Sequence, residues 1–291
     1  MKKGNLFSAI GIICIVIALG GLYGEYKEYK DVKDLYDKVE DEFVHQQEPE
    51  SEEAPVATET ESESEIIESE VTETEDSESE SEKVEPPKEW YENVWVDLKG
   101  LQSKYPEVVG WIYFENETIS YPLMQSADNV KYVTRAYDGS YSYAGSIFLE
   151  ATHKSDFSGV HTIIYGHNLR AANMFGKLKN YRKVAGYYEN HQYFQIFSED
   201  KIYRYRIFAY QVVNTDFFIF RERPSTADVL ASRLQEKSMI KPGITVNKED
   251  KVVTLCTCTE TTKNRFIVSA VLVETYDRTE KTLIVDENKE N

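Results

Sequence analysis

Val252-Val253-Thr254-Leu255-Cys256-Thr257-Cys258-Thr259 is an apolar run closed by two cysteines, and seven residues after Cys258 a second run opens as Arg265-Phe266-Ile267-Val268. Short runs rich in β-branched residues and bounded by polar ones form buried strands. Two of them this close fold back as a hairpin, which returns the Arg265 guanidinium beside the Cys258 thiol. Working outward, strands are expected at 110–114, 118–123, 146–150, 162–165, 202–213, 251–257 and 265–275, with Glu115-Asn116 turning a hairpin. Val94, Leu98 and Leu101 have helical spacing, and that helix should stop before Tyr105-Pro106. Further helices are expected near 172–181 and 225–239, where Ser225 and Asp228 resemble a capping box. About seven strands with short helices between them predict a mainly β, closed or nearly closed barrel.

The 291 residues carry 33 Lys+Arg against 51 Asp+Glu, a net charge of −18. Between 48 and 85 there are seventeen acidic residues and one base, Lys83, so the remainder is close to neutral. No basic stripe is available to neutralise phosphates, which argues against nucleic acid as a partner. Three cysteines, one of them (Cys14) inside an apolar run, exclude a disulfide-stapled scaffold.

Residues 6–23 form an uncharged apolar run preceded by Lys2 and Lys3. Such a run spans a hydrocarbon layer of roughly 30 Å as a helix. Its length and the absence of an A-x-A site favour a retained anchor over a cleaved signal peptide. The preceding lysines put the N-terminus in the cytoplasm and the rest outside. Residues 1–24 are therefore read as a cytoplasmic tip and transmembrane helix. Tyr29, Val32, Tyr36, Val39 and Phe43 recur at 3-4-3-4 spacing, so 25–47 reads as an amphipathic stalk, too short for a sustained coiled coil. The Glu/Ser/Thr-rich segment 48–87 cannot bury enough apolar surface to offset ordering and reads as a disordered tether. A folded domain over 88–278 and a polar tail over 279–291 complete the chain.

Four readings of the Cys256/Cys258 pair compete. A disulfide between residues i and i+2 of an extended strand lies near the limit of bridgeable separation. A metal site would need two more ligands at characteristic spacing. Two buried structural thiols on one strand face are a third reading. The fourth is a nucleophile at the end of a buried strand, where the Arg265 cation favours negative charge on the thiol or on an oxyanion. A thiol nucleophile also requires an acid/base partner. Among the five histidines, His167 follows Thr162-Ile163-Ile164-Tyr165-Gly166, the point where strand becomes loop. One His and one Cys at strand ends, with one Arg opening the next strand, favour function over a purely structural role.

Thr254-Leu255-Cys256-Thr257-Cys258 resembles the TLxTC signature of sortases, Tyr165-Gly166-His167-Asn168 their YGH segment, and Arg265-Phe266-Ile267-Val268 their arginine-led last strand. The resemblance runs over roughly 89–276 and is strongest to class B, through His167-Asn168 with Met174-Phe175, the helix ahead of the cysteine strand and the short Cys-to-Arg spacing. It implies a closed eight-stranded sortase-type β-barrel with short peripheral helices, in a membrane-anchored cysteine transpeptidase of Gram-positive bacteria. Such a thiol peptidase cleaves a C-terminal sorting signal after its Thr. It holds the product as a thioacyl-enzyme and passes it to an amine of peptidoglycan or its lipid-linked precursor. Residue by residue, the resemblance gives Cys258 the nucleophile position, His167 the acid/base position and Arg265 the position that binds substrate or oxyanion. It places Asn129, Tyr165, Cys256 and the Phe218-Ile219 loop in contact with substrate, and it calls for no metal or organic cofactor. Cys256 departs from the Ser usual two residues before the nucleophile, and a thiol is the weaker hydrogen-bond donor. Readings from other classes are a secreted cysteine peptidase that hydrolyses, and a non-catalytic surface module.

Overall fold

The computed structural model describes residues 23–24, 26–46, 94–169, 174–259 and 263–278. The expected anchor (1–24, apart from Tyr23 and Gly24), tether (48–87) and tail (279–291) lie outside the described residues. Among the described residues no helix is long and apolar enough to cross a membrane. Two compact units are present, residues 45–95 and the remainder. In the smaller unit His45 stacks on Trp95 with ring centroids 5.8 Å apart.

The larger unit is built on a closed barrel. Helix α1 (26–43) precedes strand β1 (Val44–Gln46), which pairs with β2 (Val94–Val96) in a separate two-stranded sheet. Helix α2 (Leu98–Lys104) then leads into β3 (Val108–Phe114), β4 (Ser120–Met124), β5 (Ile147–Leu149) and β6 (His161–Tyr165). Two short helices, α3 (Asn180–Lys183) and α4 (Tyr187–Asn190), precede β7 (Tyr193–Phe197) and β8 (Lys201–Asn214). Helix α5 (Ala227–Glu236) separates β8 from β9 (Val252–Cys258) and β10 (Asn264–Asp277). The barrel order is β10-β8-β7-β3-β4-β5-β6-β9, closed by β9 on β10. All pairs are antiparallel except β4 with β5 and β6 with β9. Closure leaves no free edge in the barrel.

The eight-stranded mainly β barrel matches the expectation, with local differences. Val94 belongs to β2, because Val94-Trp95-Val96 alternates buried and half-buried like a strand. The helix restarts beyond it, with the Asp97 carboxylate accepting from Gly100 N at 2.9 Å as N-cap. Strand β7 has no alternating pattern, since only Tyr193 of its five residues escapes burial. The cap of α5 is Thr226 instead of Ser225, and Asp228 accepts from Val229 N.

Val32, Tyr36, Val39 and Phe43 are buried and belong to the same unit as the barrel. The Tyr36 hydroxyl donates to Gly145 O at 2.7 Å, and Lys104 pairs with Glu42 at 2.7 Å. The apolar stripe of α1 is thus buried within the larger unit. Burying one such side chain contributes about 1.5–3 kcal/mol. The other large contribution near the site is the cluster of Ile163, Ile219, Leu230, Leu234, Cys256 and Ile267, which pins α5 against β6, β9 and β10.

Candidate active site

Strand directions build the site. Strands β6 and β9 are parallel neighbours, with Tyr165 opposite Cys256 and Gly166 N bonded to Cys256 O at 3.1 Å. Their C-terminal ends therefore lie side by side, which brings His167, two residues past β6, to the end of β9 where Cys258 is the last residue. Strand β10 runs antiparallel to β9 and pairs Arg265 directly with Cys258. Directly opposed residues project to the same face of a sheet, so guanidinium and thiol share one surface. A cavity of about 350 Å³ is lined by Asn129, Val133, Phe148, Tyr165, His167, Cys256, Cys258 and Arg265. That volume lies in the range of small-ligand sites.

The two cysteines are both free and differ sharply: Cys256 is buried and Cys258 exposed. Burial pushes the Cys256 thiol up to about 12, against the pull of Arg265. Cys256 therefore stays protonated near neutrality, which leaves Cys258 as the accessible thiol. Thr259 N bonds to Asn264 O at 3.3 Å, and the Asn168 amide donates to Cys258 O at 2.9 Å, so the strand end is fixed on both sides.

His167 Nε2 lies 2.8 Å from Val133 O. A carbonyl only accepts, so Nε2 carries the proton and Nδ1 is the nitrogen left for proton exchange. Phe175 N donates to His167 O at 3.0 Å. Gly166 is required at the preceding position, since a Cβ there would lie 2.6 Å from the Phe175 ring. Arg265 donates through Nη1 to Asn264 O at 3.1 Å.

Of the remaining sequence-predicted residues, Tyr165 and Asn129 line the cavity and converge on Glu150. Tyr165 donates to it at 2.8 Å and Asn129 at 2.7 Å. Burial raises the Glu150 carboxyl, but the bonds from Asn129 and Tyr165 outweigh it and hold the group below the usual carboxylate range. Asn129 also accepts from Ala151 N at 2.7 Å, so both ends of its amide hold the wall together. Phe218 and Ile219 do not line this cavity. Ile219 is fully buried in the α5 cluster, and Phe218 lies under the Arg233 guanidinium, 3.6 Å from the ring centroid. Sequence reasoning gave no role to Asn168, quoted within its motif, and did not single out Val133, Phe148 or Glu150. Asn168 adjoins the histidine and was within reach of a motif argument; a backbone carbonyl such as that of Val133 has no sequence signal.

A thiol, an imidazole and a guanidinium at one cavity form the set needed for acyl transfer through a covalent sulfur intermediate. Residues 118–273 match the Sortase family (Sortase domain). The chain is 32% identical over 183 residues to Sortase B of Listeria monocytogenes, covering 61% of this chain and 74% of that protein. It is 27% identical over 188 residues to Sortase B of Staphylococcus aureus, covering 62% of this chain and 77% of that protein. The crystal structure of sortase B from Bacillus anthracis is similar with a TM-score of 0.56 and 30% identity, over 62% of this chain and 85% of that one. The chain belongs to the sortase family, and within it to the class B cysteine transpeptidases.

Proposed function

We propose that this transpeptidase serves cell-wall anchoring by cleaving the C-terminal sorting signal of secreted surface proteins after its Thr and joining the new carboxyl end to an amine of peptidoglycan or its lipid-linked precursor. The observation that carries the reading is the register pair Cys258–Arg265, with His167 at the end of the adjacent parallel strand. Cys258 Sγ gives its proton to His167 Nδ1 and attacks the Thr carbonyl while the Arg265 donors face the oxyanion that forms. The leaving amine takes that proton from Nδ1 as the peptide C–N bond breaks, leaving a thioester. The incoming amine attacks the thioester and gives a proton to Nδ1, and as the C–S bond breaks the sulfur takes that proton back and leaves as the thiol. Tyr165, Phe148 and Val133 supply an apolar wall that disfavours water as the acceptor.

In this reading 1–24 anchors the enzyme with its N-terminus in the cytoplasm and 48–87 separates the membrane from the catalytic unit. Enzyme and exported substrate then share one surface, and effective concentration replaces tight binding. The test uses quenched fluorescent peptides carrying Thr-containing sorting signals, with and without hydroxylamine as acceptor. Expected is cleavage after Thr with a hydroxamate product that depends on Cys258. Hydrolysis unaffected by hydroxylamine would point to the secreted-peptidase reading, and no cleavage of any peptide to the non-catalytic one.

A further inference from the structure

The His167 imidazole hangs on two segments, and one residue far away in sequence touches the supports of both. The first support is the loop that supplies Val133 O. Tyr36 of α1 donates to Gly145 O at 2.7 Å and lies 3.1 Å from Ser146 Oγ. Gly145 packs directly against the acceptor of the histidine: a Cβ on it would come within 2.6 Å of Val133 O and 2.4 Å of Tyr132 O. Its φ of 57° also requires glycine. Ser146 closes the same loop by donating from N to Tyr132 O at 2.9 Å and from Oγ to Arg135 O at 2.8 Å. The hydroxyl of Tyr36 thus bonds the residue that packs against the carbonyl holding Nε2.

The second support is the backbone after the histidine. The Tyr36 ring meets Tyr121 edge-on, with centroids 5.4 Å apart. Tyr121 Oη accepts from Met174 N at 3.2 Å, and Met174 forms an isolated bridge with Asn168, the neighbour of His167. Met174 has a φ of 55°, a conformation a non-glycine residue keeps only where its surroundings enforce it. Tyr36 is 4% exposed.

We propose that Tyr36, with Tyr121 beneath it, is a positioning residue for His167, and that α1 is for this reason a working part of the catalytic machinery. The inference rests on the acid/base assignment of His167. A loosened imidazole spends less time in the orientation for proton transfer, and misplacement of reacting groups costs rate more than binding. A full misplacement of about 1 Å costs on the order of 100-fold; a slackened support should cost on the order of tenfold.

The test compares Tyr36→Phe and Tyr121→Phe with the unaltered full chain. Both keep the ring and lose only the hydroxyl. Kinetics on a cleavable Thr-containing sorting peptide should show kcat down about tenfold with KM within about twofold. In protein labelled with ¹⁵N-histidine, the Nε2–H resonance of His167 should lose its protection from solvent exchange. A kcat loss that tracks a fall in Tm while that resonance stays protected would mean general destabilisation and overturn the proposal, as would unchanged kcat in both variants. If Tyr36→Phe does not fold, Tyr121→Phe is judged on the same two readouts. His167→Ala, run alongside, separates the two levels: an active His167→Ala sinks the acid/base assignment, whereas an inactive one beside a fully active Tyr36→Phe sinks only the role of α1.

Discussion

The two thiols on β9 are two residues apart and should differ in reactivity by a factor that follows from their surroundings. The perturbation is Cys258→Ala, which leaves Cys256 as the thiol on this strand, compared with Cys256→Ala, which leaves Cys258. An ordinary cysteine titrates at 9.0, whereas burial pushes Cys256 up to about 12. At a pH well below both, that difference reduces the thiolate fraction about 1,000-fold. The more basic thiolate is the better nucleophile, with a Brønsted slope of about 0.4–0.5, which returns a factor of roughly 20. The net deficit is then about fiftyfold relative to an ordinary thiol, before access is counted, and Cys256 is only 2% exposed. The assay is exchange with dithiodipyridine at neutral pH, followed by peptide mapping so that Cys14 is read separately. Cys258→Ala should label at Cys256 at least about fiftyfold more slowly than free cysteine does, and more slowly than Cys256→Ala labels at Cys258, the exposed thiol. Comparable rates in the two variants would refute the assignment of Cys258 as the accessible nucleophile and the burial argument with it.

Arg265→Lys keeps the charge opposite Cys258 but loses the planar fork of donors. It should lower kcat/KM on a sorting peptide on the order of 100-fold, the loss typical of one oxyanion donor; near-full activity would leave Arg265 as a simple electrostatic neighbour. Stability should fall on acidification through the buried His161 and the half-buried His153. Burial, then His153 and Arg223, pull His161 down to about 3, and burial, then Arg223, pulls His153 down to about 4. The unfolded chain takes up these protons near 6.5 and the folded one does not, so stability is complete above about 6.5 and falls toward about 4. The slope is up to about 1.4 kcal/mol per pH unit for His161. Urea midpoints at pH 7 and pH 5 check it, and a midpoint that does not move would contradict it.

The three strands that meet at the site were legible because each announces itself locally. Thr254 to Cys258 and Phe266 to Val268 are short apolar runs, and His167 and Arg265 mark the boundaries where such runs stop or start. Their mutual placement followed from the family resemblance and a hairpin argument, and the register pair Cys258–Arg265 agrees with it. What was hidden depends on partners distant in sequence. The stripe on α1 was visible at its 3-4-3-4 spacing, but amphipathicity does not say which surface it covers. Tyr193 to Phe197 lacked the period-2 pattern because both faces of β7 are buried. Phe218 and Ile219 look alike in sequence to groove-lining residues, yet α5 folds over them, and only the tertiary contact with Arg233 shows it.

The parallel pairing of β6 with β9 has a consequence for how the enzyme comes into being. The whole of β7, β8 and α5 must be made between the histidine and the cysteine, and the last strand, β10, closes the barrel on both β8 and β9. Contacts of such long sequence separation form late, because the loop entropy must be overcome before they contribute. A chain growing from its N-terminus therefore carries its histidine long before it carries the thiol and the arginine, which follow one another closely. Until β10 docks, the thiol sits at an open sheet edge without its partner cation. The last strand to be made thus both closes the barrel and completes the set of side chains at its mouth, so folding and assembly of the site finish in one event.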